Sequence, residues 1–181
     1  MKYYFFISAL IIPVIGFSQW TKTELKARKV KKLQEKLEFK SLYSLDMNRL
    51  KAALSSAPAR FSNAKGVIIS LPTVSGKLEK FQVWESSNMA PELQMKNPDI
   101  RSYVGTGIED PSAYLRFSVS PVGFSSMITR SGMSEFIEPY TEDRTVYAVF
   151  DSNARRNQDK GPFECSAIDD RQKNSIKRHC E

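Results

Sequence analysis

Ala113-Tyr114-Leu115-Arg116-Phe117-Ser118-Val119-Ser120 is the stretch that decides the fold. Ala113, Leu115, Phe117 and Val119 alternate with Tyr114, Arg116, Ser118 and Ser120, and a period of two marks a strand with one face buried. Pro121-Val122-Gly123 turns the chain into Phe124 to Arg130, Ser131-Gly132 turns it into Ser134 to Glu138, and Pro139 to Arg144 leads to Thr145 to Phe150. Apolar runs about ten residues apart, with glycine or proline at nearly every junction, read as an antiparallel meander.

The residues before this stretch continue the pattern. Gly105-Thr106-Gly107-Ile108-Glu109-Asp110-Pro111 reads as a shaped turn, rich in glycine and stopped by proline. Val67 to Leu71 and Lys77 to Glu85 are extended runs joined by Pro72-Thr73-Val74-Ser75-Gly76, which predicts a hairpin. Pro91 suits the first position of a helix that Asn97-Pro98 ends about two turns later, and Ile100 to Val104 is extended again. Asp46 is placed to cap a short helix through Met47, Leu50 and Leu54, which Pro58 stops from continuing. The expected class is mainly β (α+β): an antiparallel sheet or small β-sandwich with two or three short helices.

The two ends of the chain differ from this body. Lys2 followed by the apolar run Tyr3 to Ile15 and by Gly16-Phe17-Ser18-Gln19 reads as a secretory signal cleaved after Gln19, which places the mature chain in the cell envelope or outside the cell. A membrane span needs about 20 apolar residues, and Pro13 and Gln19 cut this run short, so no stable span is expected. Between Lys22 and Lys40 eight basic residues stand against three acidic ones, most of the net charge of +7. Thr21-Lys22-Thr23-Glu24 has capping-box spacing, and the residues behind it predict a solvated basic helical arm. After Phe150 the apolar pattern stops. Asp151 to Gly161 reads as an exposed linker carrying Arg155-Arg156, a candidate processing site, and Phe163-Glu164-Cys165 is a small apolar island beyond it. The expected plan is a signal peptide over 1–19, a basic helical arm over 20–43, a β-rich domain over 44–150, and a polar linker with a cysteine-containing tail over 151–181.

Chemistry-bearing patterns are few. The single histidine, His179, lies two residues from the end, so no His-rich metal spacing exists. No Gly-x-Ser-x-Gly elbow, Walker loop or dinucleotide fingerprint occurs. Glu109-Asp110 and Glu142-Asp143 sit in turns and make poor calcium cages. The expectation is a chain with no catalytic residues and no cofactor of its own. Cys165 and Cys180 are the only cysteines, and three readings stay open: Cys165 as a thiolate for a neighbouring zinc site, a Cys165 to Cys180 disulfide, or both pairing elsewhere or free.

Several blocks, in order, resemble a known family. They are Phe81-Gln82-Val83-Trp84-Glu85-Ser86-Ser87-Asn88-Met89-Ala90-Pro91-Glu92-Leu93, then Asn97-Pro98-Asp99-Ile100, Tyr103-x-Gly105-x-Gly107-Ile108-x-Asp110-Pro111, Leu115-Arg116-Phe117, Ile137-x-Pro139-Tyr140 and Phe163-Glu164-Cys165. Together they resemble the N-terminal prodomain of secreted reprolysin-like zinc metallopeptidases of Bacteroidetes type, over about Ser44 to Cys165. The resemblance implies a secreted propeptide that assists folding and latency of a metallopeptidase catalytic domain, in cis or in trans. The zinc would belong to that domain, whose His-Glu-x-x-His motif is missing here, and Cys165 would be a candidate zinc-blocking thiolate. The alternative is an independent secreted β-module that binds a partner or an anionic surface through its sheet or basic arm. Nucleic acid is not expected.

Overall fold

The computed structural model describes residues 18–25 and 29–158. Nine strands form one antiparallel sheet: β1 (Trp20–Thr23), β2 (Ser41–Leu45), β3 (Val67–Pro72), β4 (Leu78–Glu85), β5 (Arg101–Gly107), β6 (Tyr114–Ser120), β7 (Gly123–Arg130), β8 (Met133–Pro139) and β9 (Val146–Asp151). Their order, β1-β2-β9-β8-β7-β6-β5-β4-β3, is a meander from β3 to β9 with the N-terminal pair added beyond β9. The sheet is curled into a half-barrel, not split into a sandwich. Three short helices accompany it: α1 (Met47–Leu54), α2 (Pro91–Lys96) and α3 (Ser152–Gln158).

The alternation read in Ala113 to Ser120 recurs across the sheet and sorts side chains onto two faces. Leu115 pairs with Gly105 and Ile128, and Phe117 with Tyr103 and Ser126, so their side chains share the inner face. There they join Phe81, Val83, Phe124, Ile137, Tyr147 and Val149 in the main core. Each such fully buried side chain contributes about 1.5–3 kcal/mol. Asp46 caps α1 by accepting from Arg49 N at 3.0 Å, and Leu50 and Leu54 enter the same core beside β3.

In its described residues the N-terminal arm holds strand and one 3-10 turn in place of the expected basic helix. Trp20 to Thr23 pair with Leu45 to Leu42 as strand, a 3-10 turn occupies Lys32–Gln34, and β2 crosses the expected boundary at residue 43/44. Burial of Trp20 against Phe124 and Tyr147, at ring distances of 5.3 and 5.5 Å, outweighs helix propensity in a segment whose apolar stripe is thin. The segment after Lys29 is strapped to the sheet by Lys31 N donating to Tyr140 O and Lys40 N to Val149 O. The expected linker also begins as structure: Asp151 accepts from Asn153 N and Ala154 N and so caps α3. Strap and α3 cover one part of the outer face, where Leu37, Leu42, Tyr140, Val146, Ala148, Phe150 and Ala154 make a second core. β9 is therefore buried on both faces.

One end of the half-barrel is closed by the β3–β4 turn. Tyr43 donates its hydroxyl to Gly76 O at 3.2 Å, and Val74 N donates to the carboxylate of Glu135, only 4% exposed, at 2.8 Å. Arg130 sits among three carboxylates, 3.0 Å from Glu79, 3.3 Å from Asp110 and 3.1 Å from Glu135. Its Nε is close enough to Glu135 for an ion pair but too bent to make a hydrogen bond.

Gly105-Thr106-Gly107 is the end of β5 and not the turn, which falls at Ile108 to Ser112. The glycines serve close approach. A Cβ on Gly105 would lie 2.7 Å from Val83 Cγ1 and 2.8 Å from Gln82 O, and one on Gly107 would strike Asp110 O. Two stability outcomes are expected in urea unfolding. Arg130→Ala lowers stability by about 3 kcal/mol, because Glu135 is left buried without its cation, and adding Glu135→Gln recovers part of that loss. Gly105→Ala costs about 1–3 kcal/mol through backbone and side-chain overlap, and a neutral result would refute the close-approach account.

Candidate functional site

With the inner face filled and its end closed, the open surface of interest is the outer face of β4 to β8. Two adjoining hollows of about 360 and 320 Å³ share Arg60 and Val104 and form one furrow across it. Trp84, Val104, Arg116, Met127 and Phe136 mark its course from β4 to β8. Strand alternation explains the lining: the positions that leave Tyr103, Phe117 and Ser126 inside place Ser102, Val104, Arg116, Ser118, Ser125 and Met127 outside.

The rim comes from two connections. The 59–65 loop is pinned to β4 by Arg60 N donating to Glu85 O at 2.7 Å and by Trp84 Nε1 donating to Ala64 O at 3.1 Å. At its tip Phe61 has φ 73° and is 91% exposed, with the Arg60 guanidinium 4.8 Å from its ring centre. A bulky residue held at positive φ costs about 1–3 kcal/mol and clusters at working surfaces. The other rim is Ser86 to Asn88, leading to α2, which buries none of its residues and leaves Leu93 50% and Met95 74% exposed.

Among the described residues, charge in the furrow is mainly uncommitted cation. Arg116 is exposed and lies 5.6 Å from the Tyr114 ring centre. Among the described residues no carboxylate is within 4.0 Å of the Arg60 or Arg116 guanidinium. The furrow's own acid, Glu138, is already held by Arg155 at 2.7 and 3.1 Å and by Gln34 Nε2 at 3.2 Å. A further hollow of about 280 Å³ beside Lys51, Asp99 and Tyr103 differs in this respect, since its Arg101 is bound to Glu85 at 2.6 Å. That bond raises the Arg101 pKa further, and burial, then Glu85, raises the Tyr103 phenol above its ordinary value.

The residues singled out in the sequence fall into four groups. Gly105, Gly107, Asp110, Pro111, Pro139 and Tyr140 build the scaffold: Asp110 accepts from the Ser112 hydroxyl at 2.6 Å and from Ser112 N at 3.0 Å, which lowers its pKa, and Tyr140 is buried beneath Phe39 at 5.1 Å. Met89, Ala90, Pro91, Glu92, Leu93 and Arg116 are at the surface or partly exposed, Met89 to Leu93 on the approach and first turn of α2 and Arg116 in the furrow. Arg155 and Arg156 are in α3 and not in an irregular linker, with Arg155 stacked 5.5 Å from Phe136 and 5.6 Å from Phe150. Cys165, Cys180 and His179 lie outside the described residues, as do residues 1–17 of the expected leader. The arm's Lys29 and Lys40 are engaged with Glu142 and Asp151. Arg60 and Phe61 were not singled out in the sequence, because nothing local marks a loop that a distant strand pins.

Among the described residues no His, Cys, Asp or Glu group of three is placed to hold a metal ion, and no helix is long and apolar enough to cross a membrane. Comparison of the chain with protein-family models, with curated proteins and with solved structures gave no match in any of the three.

Phe61→Asn separates display from stability. Asparagine tolerates the left-handed backbone, so the variant is expected to be more stable than the parent by up to about 1 kcal/mol in thermal unfolding. A loss of stability would show that Phe61 is held by packing and not merely presented.

Proposed function

We propose that this chain acts by binding and not by catalysis, as a secreted prodomain-like module that supports folding and latency of a zinc metallopeptidase. The observation that carries the reading is α2: the family-resembling Met89 to Leu93 block leads into a helix with no buried residue and with Leu93 and Met95 exposed. Apolar side chains left open on a folded surface, with Phe61 displayed on the neighbouring rim, are what a protein partner would cover. The half-barrel itself is the rigid support, and the catalytic domain of the peptidase is the partner, in cis or in trans.

In this reading latency has two parts. The folded module occludes the partner's cleft, and the Cys165 thiolate takes the zinc position that water needs for peptide hydrolysis. Zinc is held by the partner's domain throughout. A second reading, an independent secreted module that binds another protein through its sheet, draws on the same exposed residues and differs only in the partner.

The test is inhibition. The full chain, added to a mature reprolysin-like zinc metallopeptidase, is expected to slow hydrolysis of a fluorogenic peptide, and Cys165→Ala to weaken the effect. No inhibition by the unmodified chain removes the prodomain reading, whereas equal inhibition by both removes only the thiolate.

A further inference from the structure

The furrow has a chemistry of its own, and it narrows what can lie there. Resting on the binding reading above, we propose that the furrow across β4 to β8 takes an extended acidic segment of the partner protein. Five strands set about 4.8 Å apart give the furrow a length of about 19 Å, which matches about six residues of extended chain. Its floor is apolar at Val104, Met127 and Phe136, and its walls carry the hydroxyls of Ser102, Ser118 and Ser125. Hydroxyls on a shallow open surface suit a polar backbone laid across them more than a buried apolar ligand.

Charge selects among possible occupants. Arg60 and Arg116 have aromatic neighbours but no carboxylate among the described residues, while Glu138 is neutralised by Arg155. Among the described residues an incoming carboxylate would therefore meet two uncompensated guanidinium groups and no free acid, and guanidinium is the side chain best shaped to hold a carboxylate through two bonds. A second copy of this chain fits less well, since each copy carries a net charge of +7. Nucleic acid fits less well too, because two arginines make no phosphate-spaced track of the kind its backbone needs.

The experiment is an NMR titration of the isotopically labelled full chain. The probes are the peptide Thr-Phe-Glu-Val-Asp-Thr, its amide counterpart Thr-Phe-Gln-Val-Asn-Thr, and a single-stranded oligonucleotide of thymidines. The acidic peptide is expected to shift the backbone resonances of Ser102, Arg116 and Met127 and to bind at least about tenfold more tightly than the amide peptide. Arg60→Gln and Arg116→Gln are each expected to weaken it about tenfold, with thermal unfolding showing that both variants remain folded. Equal binding of the two peptides, unmoved resonances in the furrow, full binding by both arginine variants, or tighter binding of the oligonucleotide at the same resonances overturns the proposal. So does a shift of those resonances by Glu164→Gln before any peptide is added, which would make the chain's own C-terminal segment the occupant. No protease enters the titration. Failure here with inhibition intact removes the furrow and leaves the prodomain reading, and the reverse outcome removes that reading alone.

Discussion

The carboxylate of Glu135 is the contact on which the closed end of this half-barrel turns. It is buried, it accepts from Val74 N, and it lies 3.1 Å from Arg130, so a turn between β3 and β4 is tied to the far side of the sheet. A buried acid with one missing partner is costly, which makes the closure nearly all-or-none. Arg130 extends the tie to Glu79 and Asp110, and Tyr43 adds a bond from β2 to Gly76. With this end shut and the interior packed by aromatic rings, the inner face is core over most of its extent, with the hollow beside Lys51 and Tyr103 at its margin.

The outer face is divided by what covers it. The strap from Lys29 and the helix α3 lie over the β9 side and bury Val146, Ala148 and Phe150. Over β6 and β7, by contrast, Ser118, Ser125 and Met127 keep partial or full exposure. Arg155 stands at the boundary, bonded to Glu138 and stacked on Phe136, so that the one acid of the furrow is removed from use. The cationic character of the furrow follows from this side chain as much as from Arg60 and Arg116.

Much of the sheet was legible because its signals are local. The alternation in Tyr114 to Ser120, the glycine and proline at the turns, the Asp46 cap and Pro91 at the head of α2 each act within a few residues. The β1 to β2 pair was not, because Trp20-Thr21-Lys22-Thr23 is too short to show a period and its neighbours are good helix formers; what decides it is a core and a partner strand far along the chain. α3 was missed although Asp151 offers a cap, since Ser152 to Gln158 has only Ala154 to bury. The glycines at 105 and 107 were read as a turn when their role is to admit a neighbouring strand and the Asp110 carbonyl. Of the candidate site, Arg116 and the Met89 to Leu93 block were visible as residues, while Arg60 and Phe61 became meaningful only once the loop was seen pinned to β4.

In the proposed reading, the displayed Phe61, the exposed helix α2 and the cationic furrow form the surface that a partner covers. The direct test is hydroxyl-radical footprinting of the full chain alone and mixed with a secreted zinc metallopeptidase of the reprolysin-like type. The account expects oxidation of Phe61, Met95 and Met127 to fall in the mixture while exposed Val122, away from the furrow, stays unchanged. Unaltered oxidation at Phe61, Met95 and Met127, in a mixture where the two proteins co-elute, would contradict it.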